Sequence, residues 1–352
     1  MLHKQKNKPD GRMNMKNQND SIKKISLYPL KFEAICQYKL WGGRRLGGFL
    51  NTPIIDEEPV GEAWLLSDRD DFSNCVANGP LKGLTLKKLI KDYPQQLMGK
   101  SADQYQRFPL ILKFLDAHEM LSIQLHPKDK NAEDLATGAH GKTEGWIVLE
   151  TGLDGRILAG IKSDTTKEDL RQALENKTVE ERLYSFKPTQ GDAVFIPAGT
   201  VHSFGDLVVF EVQENSDTTF RLYDWERIDA KTGLPRALQV DQALACIDLK
   251  QDKAGLQVPV FEAATPALRE RLFDCEYFKL WRIKGESPFT VGAAGELRIL
   301  VCIDGEGQVD TGDILYRVEK GEVILLAAVL GICIFRPRGE VTILEIAVPE
   351  RT

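Results

Sequence analysis

The sequence predicts an all-β-dominated protein of two barrel-like units with a few short helices. Three observations carry that expectation. From Phe261 onward, short apolar runs alternate with Gly-containing turns, the pattern of a compact all-β unit. A turn-and-strand unit beginning at Gln190 returns faintly at Lys320, where Lys320-Gly321-Glu322-Val323-Ile324-Leu325-Leu326-Ala327 aligns with Gln190-Gly191-Asp192-Ala193-Val194-Phe195-Ile196-Pro197. Helical periodicity is confined to three patches.

In chain order, residues 1–22 read as a disordered tail or leader, polar and rich in Lys, Asn and Gln. Residues 23–255 form the first unit. Within it, Leu86, Leu89, Ile90 and Tyr93 follow helical spacing after Thr85, and a short helix is expected over Asp129–Thr137. The longest helical patch runs from Ser163 to Phe186, with Asp164 or Thr165 as cap of Lys167–Asn176 and a second turn over Val179–Tyr184. That patch either forms part of a rim over the site or packs away from it. Residues 256–352 form the second unit. In the repeat register Ile332 falls where His202 stands, and no histidine follows residue 202, so this unit is expected to carry no metal ligands.

Composition excludes several function classes. The net charge is −6; the first twenty residues hold five Lys/Arg and two Asp/Glu, so the rest of the chain carries −9. An acidic body argues against nucleic acid as a partner. No run approaches the roughly 18 apolar residues of a membrane span, and no signal peptide is evident. The six cysteines are scattered without a C-x-x-C pair and read as buried free thiols in a reducing compartment, the cytoplasm.

The chemistry concentrates in three motifs. In Ser122-Ile123-Gln124-Leu125-His126-Pro127, alternation along a strand puts Ser122, Gln124 and His126 on one face and Ile123 and Leu125 on the other, with Pro127 ending the strand. Gly141-Lys142-Thr143-Glu144 follows. Gly191 to His202 then reads G-x5-P-x-G-x2-H: a turn, an apolar strand over Ala193–Ile196, a second turn, and His202 opening the next strand. An amide oxygen, two imidazoles and a carboxylate make a mixed N/O set suited to a divalent metal such as zinc, with room for water or substrate.

The last motif matches the second metal motif of the cupin barrels up to its usual final Asn, where this chain has Asp206. The usual first motif, a His-x-His pair with a nearby carboxylate, is not matched, because Gln124 takes the first histidine position and the carboxylate is delayed to Glu144. Q-x-H-P, G-K-x-E and P-A-G-x-x-H in that order resemble type I phosphomannose isomerase in its compact bacterial form. The resemblance includes Leu40-Trp41-Gly42-Gly43-Arg44, Gly61-Glu62-Ala63-Trp64, Pro109 to Ala117, and Asn215 to Trp225.

The resemblance implies two cupin-like jelly-roll barrels. It also implies a metal-dependent aldose–ketose isomerase that interconverts mannose 6-phosphate and fructose 6-phosphate through a cis-enediol. Its zinc, one per chain, would be held by Gln124, His126, Glu144 and His202. Arg221 and Lys142 match the family's active-site cations. Arg221 would stabilise the enediolate or hold phosphate, sharing a strand face with Thr219 and Tyr223; a structural salt bridge to Asp217 or Asp224 is the alternative. Lys142 would act on substrate oxygens, aid proton transfer or contact phosphate. Ser122 and Glu62 are further substrate-side candidates, Glu62 by orienting a neighbouring group. The base is left open among Lys142, a metal-bound water and a carboxylate. The expected partner is a hexose 6-phosphate, with no nucleic acid or membrane, and the chain is expected to be a monomer or weak homodimer.

Other classes remain. A non-catalytic cupin-type sugar-phosphate-binding protein would lack the Lys142 and Arg221 pair. An iron-dependent cupin oxygenase would want a third histidine, and His118 and His140 lie outside the motifs. A sugar-nucleotide transferase would need a Gly-rich phosphate loop that the chain lacks.

Overall fold

The computed structural model describes residues 25–50, 58–131, 140–250 and 254–349. The polar tail, residues 51–57 and most of the expected Asp129–Thr137 helix lie outside these residues.

Two all-β units follow one another. The first is a ten-stranded antiparallel sheet whose main path runs Gly255–Leu256, Ala193–Ile196, Glu144–Ile161, His202–Glu214, Leu110–Ala117, Ile35–Gly43 and Val60–Leu66. The short strand Ile123–Leu125 pairs with both the His202 strand and Phe220–Tyr223. The second unit packs a seven-stranded sheet against a four-stranded one over a core that includes Ile283, Leu300, Cys302, Ile324, Phe335 and Ile343. The two units are not separate in their packing. One apolar cluster joins Leu112, Phe114, Ile147 and Phe210 of the first to Phe273, Leu280, Ile299, Leu325 and Ile346 of the second. The strand Leu30–Lys31, near the start of the described chain, pairs with Val323–Leu326 in the second unit's sheet.

The repeat seen in the sequence has a physical counterpart. Gly191 and Gly321 both take left-handed backbone, φ +92° and +86°, ahead of the strands Ala193–Ile196 and Val323–Leu326. The copies diverge afterwards: His202 is fully buried, whereas Ile332 is 65% exposed on the outer face of its sheet.

The helices are where local reading was least complete. Leu86–Asp92 forms with Thr85 as cap. Lys167–Glu175 forms too, but its cap is Thr166, one or two residues later than expected, because Asp169 at the third helical position reciprocates the bond in a capping box. This helix and the turn after it pack Leu170, Ala173 and Val179 against Ile123, Leu125 and Phe220, beneath the site and not over it. The last part of the patch, Leu183–Phe186, is a strand on Glu144–Ile161. Pro94–Met98 and Val240–Cys246 are additional short helices. No helix among the described residues is long and apolar enough to cross a membrane. None of the six cysteines forms a disulfide; Cys246, Cys302 and Cys333 are buried, but Cys36 is exposed and Cys75 and Cys275 are half-buried, so burial holds for only three.

At the end of the His202 strand, Glu214 pins the segment that leads into Glu144. Its backbone N–H donates to Thr143 O (3.2 Å) and its carboxylate accepts from Thr143 N–H (2.6 Å). Burial raises the Glu214 carboxyl to about 7 against an ordinary value near 4.5; the Thr143 N–H offsets part of this, and Asp129 and Glu276 add to it. The folded form therefore holds its proton where the unfolded chain loses it. Stability from this group is complete below the unfolded value and is lost as pH rises through about 7, by at most about 3 kcal/mol. Glu214→Gln, which keeps an acceptor and removes the charge, is expected to gain stability over the native chain between pH 5 and 8. Urea midpoints at the two pH values read the change, and a difference independent of pH would contradict it.

Candidate metal centre and active site

Four strands deliver the site. Gln124 lies directly opposite His202 on one side and Arg221 on the other, so the three form a row across the sheet. Ile123 and Leu125 point the opposite way into the apolar cluster below. His126 follows at the strand's end and Glu144 opens the strand beside Ala193–Ile196. The P-A-G turn works through Gly199, whose φ is +90° and whose N–H donates to His126 O at 2.7 Å, tying the two histidine segments together. Asp206, where cupins usually carry Asn, sits at φ +51° beside a bulge in the His202 strand, a conformation both residue types tolerate; its carboxylate accepts from Arg45.

His126, Glu144 and His202 are all at most 1% exposed, and each offers a ligand atom within 4.8 Å of the others. Glu144 lies between the imidazoles: Oε1 is 3.2 Å from His202 Nε2 and Oε2 is 3.4 Å from His126 Nε2. The outer ring nitrogens face carbonyls, Thr218 O at 2.8 Å from His126 Nδ1 and Thr200 O at 3.0 Å from His202 Nδ1. A carbonyl only accepts, so both protons sit on Nδ1 and both Nε2 lone pairs point inward. Burial pushes both imidazoles toward the neutral form. Burial alone would raise the Glu144 carboxyl, but the Lys142 ammonium beside it holds it well below its ordinary value.

The centre is thus a buried convergence of lone pairs. Glu144 Oε2 receives no hydrogen bond of proper direction, although Lys142 Nζ lies 2.7 Å away. Two imidazole nitrogens and a carboxylate fit a borderline divalent ion with open positions left over. Gln124 is next to it: its Nε2 is 3.4 Å from His202 Nε2, and its Oε1 accepts from Ser122 Oγ at 2.9 Å. Turning the amide over would aim its oxygen inward and let its nitrogen donate to Ser122. Ser122 is buried, spends its hydroxyl on Gln124, and does not line the cavity.

The cavity over the centre has a volume of about 110 Å³. A larger cleft of about 560 Å³ lies between the two units but contains neither histidine nor the G-K-x-E segment, so size is not the guide here. Glu62, Gln124, Lys142, Glu144 and Arg221 all line the smaller cavity. Lys142 Nζ lies 3.2 Å from His126 Nε2. Glu62 accepts from Trp64 Nε1 (2.7 Å) and has Lys39 and Lys113 at 3.3 and 3.7 Å; burial works against its charge, yet those cations bring its carboxyl down to about 2.

Arg221 makes no salt bridge among the described residues. Asp224 is taken by Arg227 and Arg236, Asp217 is exposed, and Arg221 Nε is buried without a partner. A bulge between Arg221 and Tyr223 also breaks the expected shared face: Thr219 and Arg221 line the cavity, while Tyr223 turns to pack against Trp225. His118 and His140 are exposed, and neither joins the cluster.

Sequence reasoning missed Lys113 and Glu211. Each sits mid-strand in an apolar run, which was the available signal, since a charge there must be paired or serve the site. The register sets them side by side, with Trp64 beyond Lys113 and Trp146 beyond Glu211. Trp146 Nε1 donates to Glu211 Oε2 at 3.0 Å, while Oε1 has no hydrogen-bond partner. Burial raises the Glu211 carboxyl, with Lys142 opposing and Glu144 reinforcing the shift.

Residues 29–144 match the family model described as phosphomannose isomerase type I, catalytic domain. Mannose-6-phosphate isomerase ManA of Bacillus subtilis is 34% identical over 306 residues, covering 86% of this chain and 94% of that protein. The crystal structure of the mannose 6-phosphate isomerase from Bacillus subtilis superposes with a TM-score of 0.84 at 27% identity, covering 91% of this chain and 99% of that one. A variant of the Salmonella typhimurium phosphomannose isomerase, 16% identical with a TM-score of 0.72 over 91% of this chain, shares the fold. Sequence kinship over nearly the whole chain, together with the same two-barrel cupin architecture, leads to one conclusion: the chain belongs to the type I phosphomannose isomerase family.

Proposed function

We propose that this chain is a mannose-6-phosphate isomerase that interconverts D-mannose 6-phosphate and D-fructose 6-phosphate through a cis-enediol, with one zinc ion per chain held by His126, Glu144 and His202, and by Gln124 once its amide is turned. The observation that carries this reading is the buried convergence of His126, Glu144 and His202 lone pairs beneath a cavity walled by lysine and arginine side chains. A divalent ion there supplies Lewis acidity toward the sugar's carbonyl and enediolate oxygens. Ser122 acts indirectly, by orienting Gln124.

The remaining work falls to side chains. The open-chain sugar must lose a proton from one carbon and regain it on the neighbouring one. Of the buried carboxylates lining the cavity, Glu144 is committed to the imidazole pair and Glu62 is held ionised by Lys39 and Lys113. Glu211 has an oxygen without a hydrogen-bond partner, 3.6 Å from Lys113 Nζ, and a raised proton affinity, which suits a carboxylate that takes up a proton and returns it. Lys142, on the cavity wall next to Glu144, is positioned to hydrogen-bond a sugar oxygen. Arg221, in register with Gln124, presents an uncompensated guanidinium to the reacting end, where it stabilises negative charge as it develops. The non-catalytic sugar-binding reading gives no role to a guanidinium without a salt bridge and a carboxylate of raised proton affinity in one cavity.

A coupled assay that follows fructose 6-phosphate formation from mannose 6-phosphate, without nicotinamide, ATP or oxygen as reactant, tests the activity. Turnover is expected and should vanish with chelator; binding without turnover in zinc-replete protein would favour the sugar-binding reading. Elemental analysis should find about one divalent ion per chain, lost from His126→Ala and His202→Ala. Arg221→Ala should keep metal and fold while kcat drops by about 10²–10³ with little change in KM, and Arg221→Lys should recover only part. Glu211→Gln should also keep metal, with turnover down by about 10²–10⁴, the range for removing a positioned acid–base group. A near-native rate in that variant would pass the proton-transfer role to Lys142 or to water.

A further inference from the structure

A phosphate monoester at the far end of a six-carbon chain from the reacting carbons needs its own cationic partner, and the cavity offers five cations: Lys39, Lys113, Lys142, Arg221 and Arg236. Their placement sorts them. Lys113 and Lys142 are buried on the floor against Glu62, Glu211 and Glu144. Arg221 stands in the row with Gln124 and His202 at the reacting end. Lys39 and Arg236 are at the rim, with side chains 28% and 21% exposed. Lys39 is drawn inward to Glu62 at 3.3 Å.

Arg236 differs in being held rigidly by groups that do not use up its donors. Nε donates to Asp224 Oδ2 at 2.7 Å and Nη2 to Asp224 Oδ1 at 2.5 Å. That clamp fixes the plane of the guanidinium and leaves Nη1 without a protein partner among the described residues. The segment carrying Arg236 is stapled to the Arg221 strand at Gln239, whose N–H donates to Arg221 O (2.8 Å) and whose Oε1 accepts from Arg221 N–H (3.1 Å). Asp224 does not need Arg236 for neutralisation, because Arg227 Nη2 already donates to Oδ1 at 2.6 Å. One carboxylate shared by two guanidiniums leaves positive charge at the rim. Arg221 lies close enough for the two guanidiniums to repel each other, a cost that a dianion nearby would remove. A planar, pre-oriented fork is also the geometry that suits phosphate oxygens.

We infer that Arg236, pre-oriented by Asp224 and Gln239, is the rim residue that grips the 6-phosphate of the sugar as a dianion. The inference rests on reading the site as one that takes a hexose 6-phosphate, and it separates two duties: Arg221 serves the transition state, Arg236 the ground-state grip.

The test uses the metal-loaded full chain with Arg236→Gln, which can still donate to Asp224, and Arg236→Lys, which keeps the charge. KM for mannose 6-phosphate is expected to rise about 10–100-fold in Arg236→Gln, the range for a lost charge-assisted hydrogen bond, with kcat within about threefold. Competitive inhibition by inorganic phosphate should weaken by a similar factor, and Arg236→Lys should fall between. Metal content and thermal midpoint should stay native. Unchanged KM and unchanged phosphate inhibition would overturn the assignment, as would a fall in kcat alone. A lowered thermal midpoint with equal losses in both variants would make Arg236 a structural partner of Asp224. If the native chain shows no isomerisation, the proposed function fails by itself. Calorimetric binding of inorganic phosphate to native chain and to Arg236→Gln then still decides the role of Arg236.

Discussion

Glu144, buried between two neutral imidazoles, is the interaction around which the first barrel is arranged. A carboxylate with almost no solvent exposure is tolerable only if cations or donors surround it. Here the imidazoles turn lone pairs toward it, since their protons are committed to Thr200 O and Thr218 O. Among the described residues, Lys142 is the counter-charge at contact distance. Much of the surrounding geometry serves this cluster: the tight turn at Gly199 joins the histidine segments, Glu214 anchors the approach to Glu144, and Ser122 orients Gln124.

Among the described residues, the second barrel contributes no side chain to the cavity. Its role is mechanical. The largest apolar cluster runs continuously through both units, so the sheet bearing Glu144 and His202 has on its far side a wall supplied by Phe273, Leu280, Ile299 and Ile346. A lone barrel would leave that face to water. The loss of imidazoles from the repeat follows the same division, with Ile332 exposed on a sheet that has no cavity duty.

How much of this was legible depended on how local the determining interaction is. His126, Glu144 and His202 could be read because their spacing is bound to turns and strand alternation, and the structure brings all three together. Thr219 and Arg221 could be placed, but Tyr223 could not, because a bulge has no reliable mark in one sequence. Lys113 and Glu211 carried a signal, a charge within an apolar strand, that gains meaning only once the register sets them opposite each other. Arg236 was invisible: it lies in a loop, and only the Asp224 clamp and the Gln239 staple bring it to the rim. The cap at Thr166 was misjudged because its partner, Asp169, was not weighed.

The pairing of Leu30–Lys31 with Val323–Leu326 has a consequence for how the chain comes into being. The partners are about 300 residues apart, so the edge of the second sheet is completed by a segment synthesised well before its partner. At the usual pace of synthesis that segment waits on the order of tens of seconds for its partner. During that interval Leu30, fully buried in the finished protein, has no native surface to cover it. Vectorial folding can finish the local strand pairs of the first barrel, but not the seam between the barrels, which closes only once Val323–Leu326 has emerged.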